Sequence, residues 1–123
     1  MTPEEQNQIE YVGDLVVDVD GTICTTIDRD YENSIPHEDV IEALFRAREL
    51  GWKIILQTAR GQISKQGDQD EIQRSVKPTL ERWLQKHGVP YDELHTGKAW
   101  ARKWYVDDKA MKPEEFVDVI RNQ

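Results

Sequence analysis

The stretch Leu15-Val16-Val17-Asp18-Val19-Asp20-Gly21-Thr22 decides the fold of this chain. Its short run of apolar, mostly β-branched residues predicts a buried parallel strand that ends at the Asp-Gly pair. Asp20 on its own could be a turn former, but Asp18 lies inside the apolar run, where an unpaired charge is costly. The two side chains lean the same way along a strand, with Cα atoms roughly 6–7 Å apart. We therefore predict that both carboxylates are functional.

Helices and further strands alternate along the rest of the chain. The predicted strands are 53–58, 92–96 and 103–107, and the predicted helices are 36–50, 75–87 and one that begins at Pro113. Residues 60–74 are polar, contain two glycines and predict a loop. This alternation predicts an α/β fold with helices on both faces, a Rossmann-like three-layer sandwich with a central, mostly parallel sheet. We expect one domain over 14–123 and an N-terminal extension over 1–13, either a short helix capped by Thr2 or a frayed tail.

The composition narrows the classes of partner. The 123 residues carry a formal net charge of -8, so nucleic acid and anionic membrane are not favoured partners. The one cysteine, Cys24, rules out an internal disulfide and favours a reducing compartment. No apolar run approaches the ~20 residues of a membrane span. We therefore expect a cytoplasmic protein.

Polar residues cluster where the predicted strands end. They are Asp18 and Asp20, Thr58, Lys98, and Asp107 and Asp108. The carboxyl ends of parallel strands meet at one edge of a sheet, which is where α/β proteins bind ligands. Four carboxylates at one edge predict a hard divalent cation, and oxygen ligands fit Mg²⁺ best. Thr58 and the backbone N–H groups after it could hold phosphoryl oxygens, and Lys98 is placed to offset the acidic edge.

These motifs carry a resemblance. Asp18-Val19-Asp20-Gly21-Thr22-Ile23, Thr58, Lys98 and Asp107-Asp108 resemble, in this order, the motif set of the haloacid dehalogenase superfamily, and the likeness runs from 15 to about 116. More narrowly, Thr58-Ala59-Arg60, 87–93, Gly97-Lys98 and 105–108 resemble small bacterial phosphatases of capsular polysaccharide biosynthesis. The chain departs from that group in its N-terminal segment and in Ala99, where the group tends to have Pro.

The resemblance implies a Mg²⁺-dependent phosphatase with an aspartyl-phosphate intermediate. Asp18 would attack phosphorus, and Asp20 would protonate the leaving oxygen and then deprotonate water. The implied phosphate-binding residues are Gly21, Thr58, Ala59 and Lys98. The implied metal ligands are Asp18, the backbone carbonyl of Asp20, Asp107 and Asp108, and the division between the last two stays open.

The insertions between the motifs are short. Ile23 to Pro36 has space for a hairpin flap, and Thr58 to Lys98 for one loop, one helix and one strand, so no cap domain is expected. A site open to water implies either a large substrate or a second subunit that covers it. We expect 62–74 to be a lid, with Arg60, Lys65 and Arg74 available for substrate anions. The alternative for each of these three, taken singly, is a solvated loop residue with no role in binding.

Several functions remain open. The first is hydrolysis of a sugar phosphate or a related small phosphorylated metabolite. The alternative within enzymes is a nucleotide or polynucleotide-end phosphatase, and the lack of a basic stripe counts against the polynucleotide form. From another class come an inactive family member and a non-catalytic, receiver-like phosphate-binding protein. Receivers also place Asp, Thr and Lys at strand ends, but the order of the motifs here argues against one.

Overall fold

The computed structural model describes residues 10–99 and 101–123, so the helix predicted after Thr2 lies outside the described residues. The strands are β1 (Gly13–Asp18), β2 (Cys24–Thr25), β3 (Ile35–Pro36), β4 (Trp52–Gln57) and β5 (Glu93–His95). The helices are α1 (Glu38–Glu49), α2 (Gln69–Glu71), α3 (Lys77–Lys86) and α4 (Pro113–Arg121). No helix within these ranges has the length and apolar character needed to cross a membrane.

A parallel three-stranded sheet forms the centre of the fold. β4 lies between β1 and β5, and all three strands run the same way. Leu15 pairs with Ile54 and Val17 with Leu56, so the two apolar runs predicted from the sequence lie side by side. The prediction of an α/β fold with a parallel sheet is confirmed, and the arrangement is consistent with a Rossmann-like fold.

Helices α1, α3 and α4 share one apolar cluster with the sheet. Ile54 and Leu56 are fully buried in this cluster, and Leu15, Val17 and Leu94 pack against it. Since side chains alternate along a strand, these five residues mark one face of the sheet. α1 also packs on α4. The described helices therefore cover a single face.

The other face of the sheet is polar. Lys53 on β4 forms an ion pair with Glu93 on β5, and His95 Nε2 lies 2.9 Å from Glu93 Oε1. Val16 on β1 is exposed on this side. The three-layer prediction is thus wrong for the described residues, which form two layers. On this face Lys53, Glu93 and His95 carry polar groups that gain more from water and from each other than from a packed helix.

The strand predicted at 103–107 does not form. Trp104 is 74% exposed and Val106 97% exposed. The hydroxyl of Tyr105 donates a 2.6 Å hydrogen bond to the Ala99 carbonyl and accepts one of 3.0 Å from the Ala101 amide. These bonds fold the segment back on itself, which satisfies its polar groups locally. Among the residues that the structure describes, no strand pairs with the outer edge of β1.

Helical structure begins earlier than predicted. The polar loop predicted over 60–74 ends at α2, where the Asp68 side chain accepts a hydrogen bond from the Glu71 amide. A π-helical turn, Ile72–Val76, then leads directly into α3. Ile72 is fully buried and packs on Gly61, where an added Cβ would lie 2.8 Å from its side chain. Gly61 also has a φ of +85°, which favours glycine.

The predicted hairpin flap is present between β1 and α1. β2 and β3 pair antiparallel, with Cys24 opposite Pro36. The indole Nε1 of buried Trp83 on α3 donates a 2.9 Å hydrogen bond to the Ser34 carbonyl. This bond attaches the base of the flap to the helical layer.

Trp83→Phe is expected to destabilise the fold by about 1–3 kcal/mol, because it leaves the buried Ser34 carbonyl without its donor. The measurement is urea unfolding followed by circular dichroism. Trp104→Phe is the matched control, since that ring is exposed, and its change should stay within about 0.5 kcal/mol. Equal effects of the two substitutions would contradict the attachment of the flap to α3.

Candidate active site

Three strand ends meet at one edge of the sheet, as predicted. β1 ends at Asp18, whose Oδ1 lies 3.3 Å from Nζ of Lys98. The amide of Lys98 donates to the Thr58 carbonyl, at 3.3 Å, so the segment after β5 is attached to the end of β4. The ring centroid of Tyr105 lies 3.9 Å from the same ammonium. The structure therefore brings the predicted nucleophile and the predicted cation into contact.

Asp18 is incompletely neutralised in this arrangement. Burial raises the pKa of its carboxyl, and the charge and hydrogen bond of Lys98 lower it by less. The pKa consequently stays above its ordinary value. One ammonium group does not offset the cost of holding this carboxylate at the edge of the core.

Asp20 is held by Arg60. Nε and Nη2 of Arg60 each donate a 2.9 Å hydrogen bond to a different oxygen of the carboxylate, and Thr26 Oγ1 adds one of 2.8 Å. The Arg60 side chain is 2% exposed. Burial alone would raise the pKa of Asp20, but the hydrogen bonds and charge of Arg60, together with Thr26, lower it. Asp20 is therefore a carboxylate in this geometry.

An aromatic ring closes over this pair. The Tyr31 ring centroid lies 4.4 Å from the guanidinium carbon of Arg60, a cation–π contact. Thr26 Oγ1 also lies 2.5 Å from Ser34 Oγ. Two residues of the flap thus touch the Asp20–Arg60 pair. These contacts were not predicted from the sequence, although Tyr31 is the one aromatic residue in the irregular polar stretch 22–34.

Thr58 and Gly21 shape the edge of the site. Thr58 is fully buried, and its Oγ1 accepts a 3.0 Å hydrogen bond from the Arg60 amide, which forms the turn after β4. Ala59 in that turn lines the cavity next to Asp18. Gly21 has a φ of +84° and donates its amide to the Cys24 carbonyl. In this geometry Thr58 supports the turn, whereas Ala59 faces the site.

A cavity of about 650 Å³ lies over Asp18 and Asp20. Its walls come from the flap, the turn after β4, and the segment 101–105. Arg29 of the flap and Arg102 line it as well, and neither was predicted from the sequence. The volume is within the usual range for small-molecule sites.

Asp107 and Asp108 do not reach this cavity. Both are exposed, and the Asp107 side chain accepts a 2.9 Å hydrogen bond from the Lys109 amide. Within 10–99 and 101–123, no group of three or more His, Cys, Asp or Glu side chains is arranged to hold a metal ion. The described positions therefore do not fit a magnesium site made by all four predicted ligands.

Two of the three cations predicted for substrate binding are also elsewhere. Lys65 and Arg74 both pair with Glu71, with N–O distances of 3.8 and 3.0 Å. They hold the start of the helical segment together on the surface. Of these three residues, only Arg60 lines the cavity, and it forms an ion pair with Asp20 there.

Cys24 is expected to be unreactive in the folded protein. Burial, together with the negative charge of Asp20, raises the pKa of its thiol to about 11. Ellman's reagent at pH 8 should leave the native thiol unmodified over a time in which the denatured chain reacts completely. An unfolded thiol ionises near a pH of about 8.5. The neutral, buried thiol therefore makes its full contribution to the free energy of unfolding below that pH, and the contribution declines as the pH rises toward about 11. Equal reaction rates for native and denatured protein would contradict the burial of Cys24.

The fold and the site define an α/β protein with a parallel three-stranded sheet and, at its carboxyl edge, a cavity lined by two carboxylates and three arginines. No family model and no curated protein sequence matches the chain. Among solved structures, it is similar to an MCSG target from Vibrio cholerae, with 38% identity and a TM-score of 0.83 over 89% of this chain and 94% of that one. The chain belongs to the same family as this Vibrio cholerae protein.

Two more distant structures share the fold alone. They are chains of the Pnkp1/Rnl/Hen1 complex, the second described as an RNA repair complex. Their identities are 24% and 19%, with TM-scores of 0.55 and 0.54 over 88% and 92% of this chain. This chain covers 34% of the length of each.

Proposed function

We propose that the chain is a haloacid dehalogenase-like phosphomonoester hydrolase that forms an aspartyl phosphate at Asp18. The observation that carries the proposal is the Lys98 ammonium, 3.3 Å from the Asp18 carboxylate at the floor of a small-molecule cavity. A carboxylate nucleophile next to a fixed cation suits attack on an anionic phosphoryl group. The motif order seen in the sequence adds independent support.

The proposed reaction has two steps. In the first, an Asp18 oxygen bonds to phosphorus, the bond from phosphorus to the leaving oxygen breaks, and Asp20 gives that oxygen a proton. In the second, water attacks phosphorus, Asp20 takes a proton from the water, and the bond to Asp18 breaks to release inorganic phosphate. The contacts of Asp20 with Arg60 favour its carboxylate form, which is the form that the second step needs. The first step needs a protonated Asp20, so it requires Arg60 to release one carboxylate oxygen and that oxygen to take a proton from water or from the phosphate monoanion of the substrate.

We propose Mg²⁺ as the cofactor, on the basis of the oxygen donors in the sequence. Asp18 and Asp20 supply donors at the strand end. Asp107 and Asp108 are the further oxygen donors that the resemblance implies, and they lie on exposed positions outside the cavity. The ion would supply positive charge to the phosphoryl oxygens.

The proposed substrate is a sugar phosphate or a related small phosphorylated metabolite, as in the capsular polysaccharide phosphatases that the motifs resemble. The insertion after β1 is the short β2–β3 hairpin, which leaves the cavity open, so we also propose that a second subunit covers it. The second candidate function is removal of phosphate from nucleotides or polynucleotide ends. It is favoured by the shared fold with a chain of an RNA repair complex, while the net charge of -8 disfavours long polynucleotides.

The test is phosphate release from sugar phosphates, nucleotides and an aryl phosphate, each with Mg²⁺ and with chelator. We expect turnover that depends on Mg²⁺ and is highest for a small phosphomonoester. A preference for nucleotides or oligonucleotide ends would select the second candidate. Well-folded protein that releases phosphate from no compound would contradict the enzyme proposal, and turnover in chelator would contradict the cofactor.

A further inference from the structure

We infer, on the basis of the proposed function, that the substrate's leaving group carries a second anionic group, which Arg29 and Arg102 bind. A phosphoryl group fills only a small part of about 650 Å³. Most of the space is therefore available to the leaving group, and the residues around that space determine specificity.

The charges around the cavity do not cancel. Asp18 is paired with Lys98, and Asp20 with Arg60, so the formal charges of these four groups sum to zero. Arg29 and Arg102 line the same cavity, and within the described residues neither has a carboxylate within salt-bridge distance. In a chain with a net charge of -8, two such arginines at one cavity are a local reversal of sign.

Arg29 belongs to a loop that is held at both ends. Thr26 bonds to Asp20, and Tyr31 stacks on Arg60, so both neighbours of the Arg29 turn are attached to the site. Asp28 and Arg29 have consecutive left-handed φ values of 52° and 60°, which non-glycine residues rarely adopt. The flap thus keeps an uncommon backbone that presents Arg29 at the cavity wall.

Arg102 belongs to a second anchored loop. The Tyr105 hydroxyl bonds to Ala99 and Ala101, and its ring lies over Lys98. Arg102 therefore lies between two attached positions, Ala101 and Tyr105, and lines the same cavity as Asp18. Guanidinium groups bind carboxylate or phosphate oxygens in pairs, so two of them suit one further anionic group.

The test uses substrates that differ by one added anionic group. The pairs are phenyl phosphate against 4-carboxyphenyl phosphate, and phenyl phosphate against 4-phosphonophenyl phosphate, which separate a carboxylate from a phosphate-like group. We expect at least one of the charged substrates to have a kcat/KM about tenfold higher, as expected for about 1.4 kcal/mol. Arg29→Gln and Arg102→Gln should each bring this ratio toward one. Arg82→Gln, an exposed arginine on α3, is the matched control and should leave the ratio unchanged.

Binding gives a readout that does not need turnover. Calorimetry would compare phenylphosphonate with 4-carboxyphenylphosphonate and 1,4-benzenediphosphonate, on wild type and on the three variants. Tighter binding of a doubly charged compound, lost in Arg29→Gln or Arg102→Gln, supports the inference even if the protein hydrolyses nothing. Equal binding of all three, or a preference that both variants retain, overturns it. Absence of turnover with preferential binding would reject only the proposed function.

Discussion

Asp18→Asn is expected to lower phosphate release by at least roughly 10³-fold, because it removes the nucleophile. A carboxamide does not form the acyl phosphate, so the acid-quenched intermediate should also vanish. Mass spectrometry of wild type, quenched in acid during turnover, should show the mass of one added phosphoryl group, and Asp18→Asn should not. Loss of both readouts places the defect at or before formation of the aspartyl phosphate.

Asp14→Asn is the matched control for this substitution. It makes the same chemical change on the same strand, at an exposed position four residues before Asp18. It should keep both the rate and the trapped intermediate. If Asp18→Asn retained turnover while its unfolding midpoint matched that of wild type, Asp18 would not be the nucleophile.

Asp20→Asn is expected to lower turnover by about 10²- to 10⁴-fold, the range for loss of a general acid–base group. It should also destabilise the fold, because Arg60 is buried and loses its carboxylate. Removing one partner of a buried ion pair costs about 3–5 kcal/mol. Asp20 is 37% exposed, so we expect about 2–3 kcal/mol from the same source. Urea unfolding and steady-state kinetics measure the two effects separately.

The double variant Asp20→Asn with Arg60→Met completes the test. Without Asp20, removal of the buried guanidinium charge should restore part of the stability, while activity stays low. Asp20→Asn that is as stable as wild type would show that the ion pair does not form in solution. A large loss of stability with nearly normal turnover would give Asp20 a structural role only.

The sequence predicted the centre of the fold because its signals are local. The apolar runs at β1 and β4 could be interpreted only as buried strands, and they lie next to each other in the structure. Carboxyl ends of neighbouring parallel strands share an edge, so contact between Asp18 and Lys98 follows from topology. The short hairpin and the helix that begins at Pro113 also followed from local composition.

The remaining features depend on contacts that no local pattern contains. The run at 103–107 is typical of a strand, but hydrogen bonds from one hydroxyl, that of Tyr105, hold it in a loop. Arg60 was expected to bind substrate, because nothing in the sequence shows that it reaches Asp20. Arg29 was not predicted to line the site, because its position depends on the contacts of Thr26 with Asp20 and of Tyr31 with Arg60.

The π-helical turn at Ile72–Val76 has an evolutionary consequence. A π turn encloses one residue more than an α turn between the same helix ends. Deletion of Ser75 would let an ordinary α turn join α2 to α3 in the same relative orientation, so Ile72 would stay packed on Gly61. The helix can therefore gain or lose one residue here without moving the turn beside the cavity. Relatives whose helix differs by one residue at this point are expected to keep the same cavity wall and the same substrates.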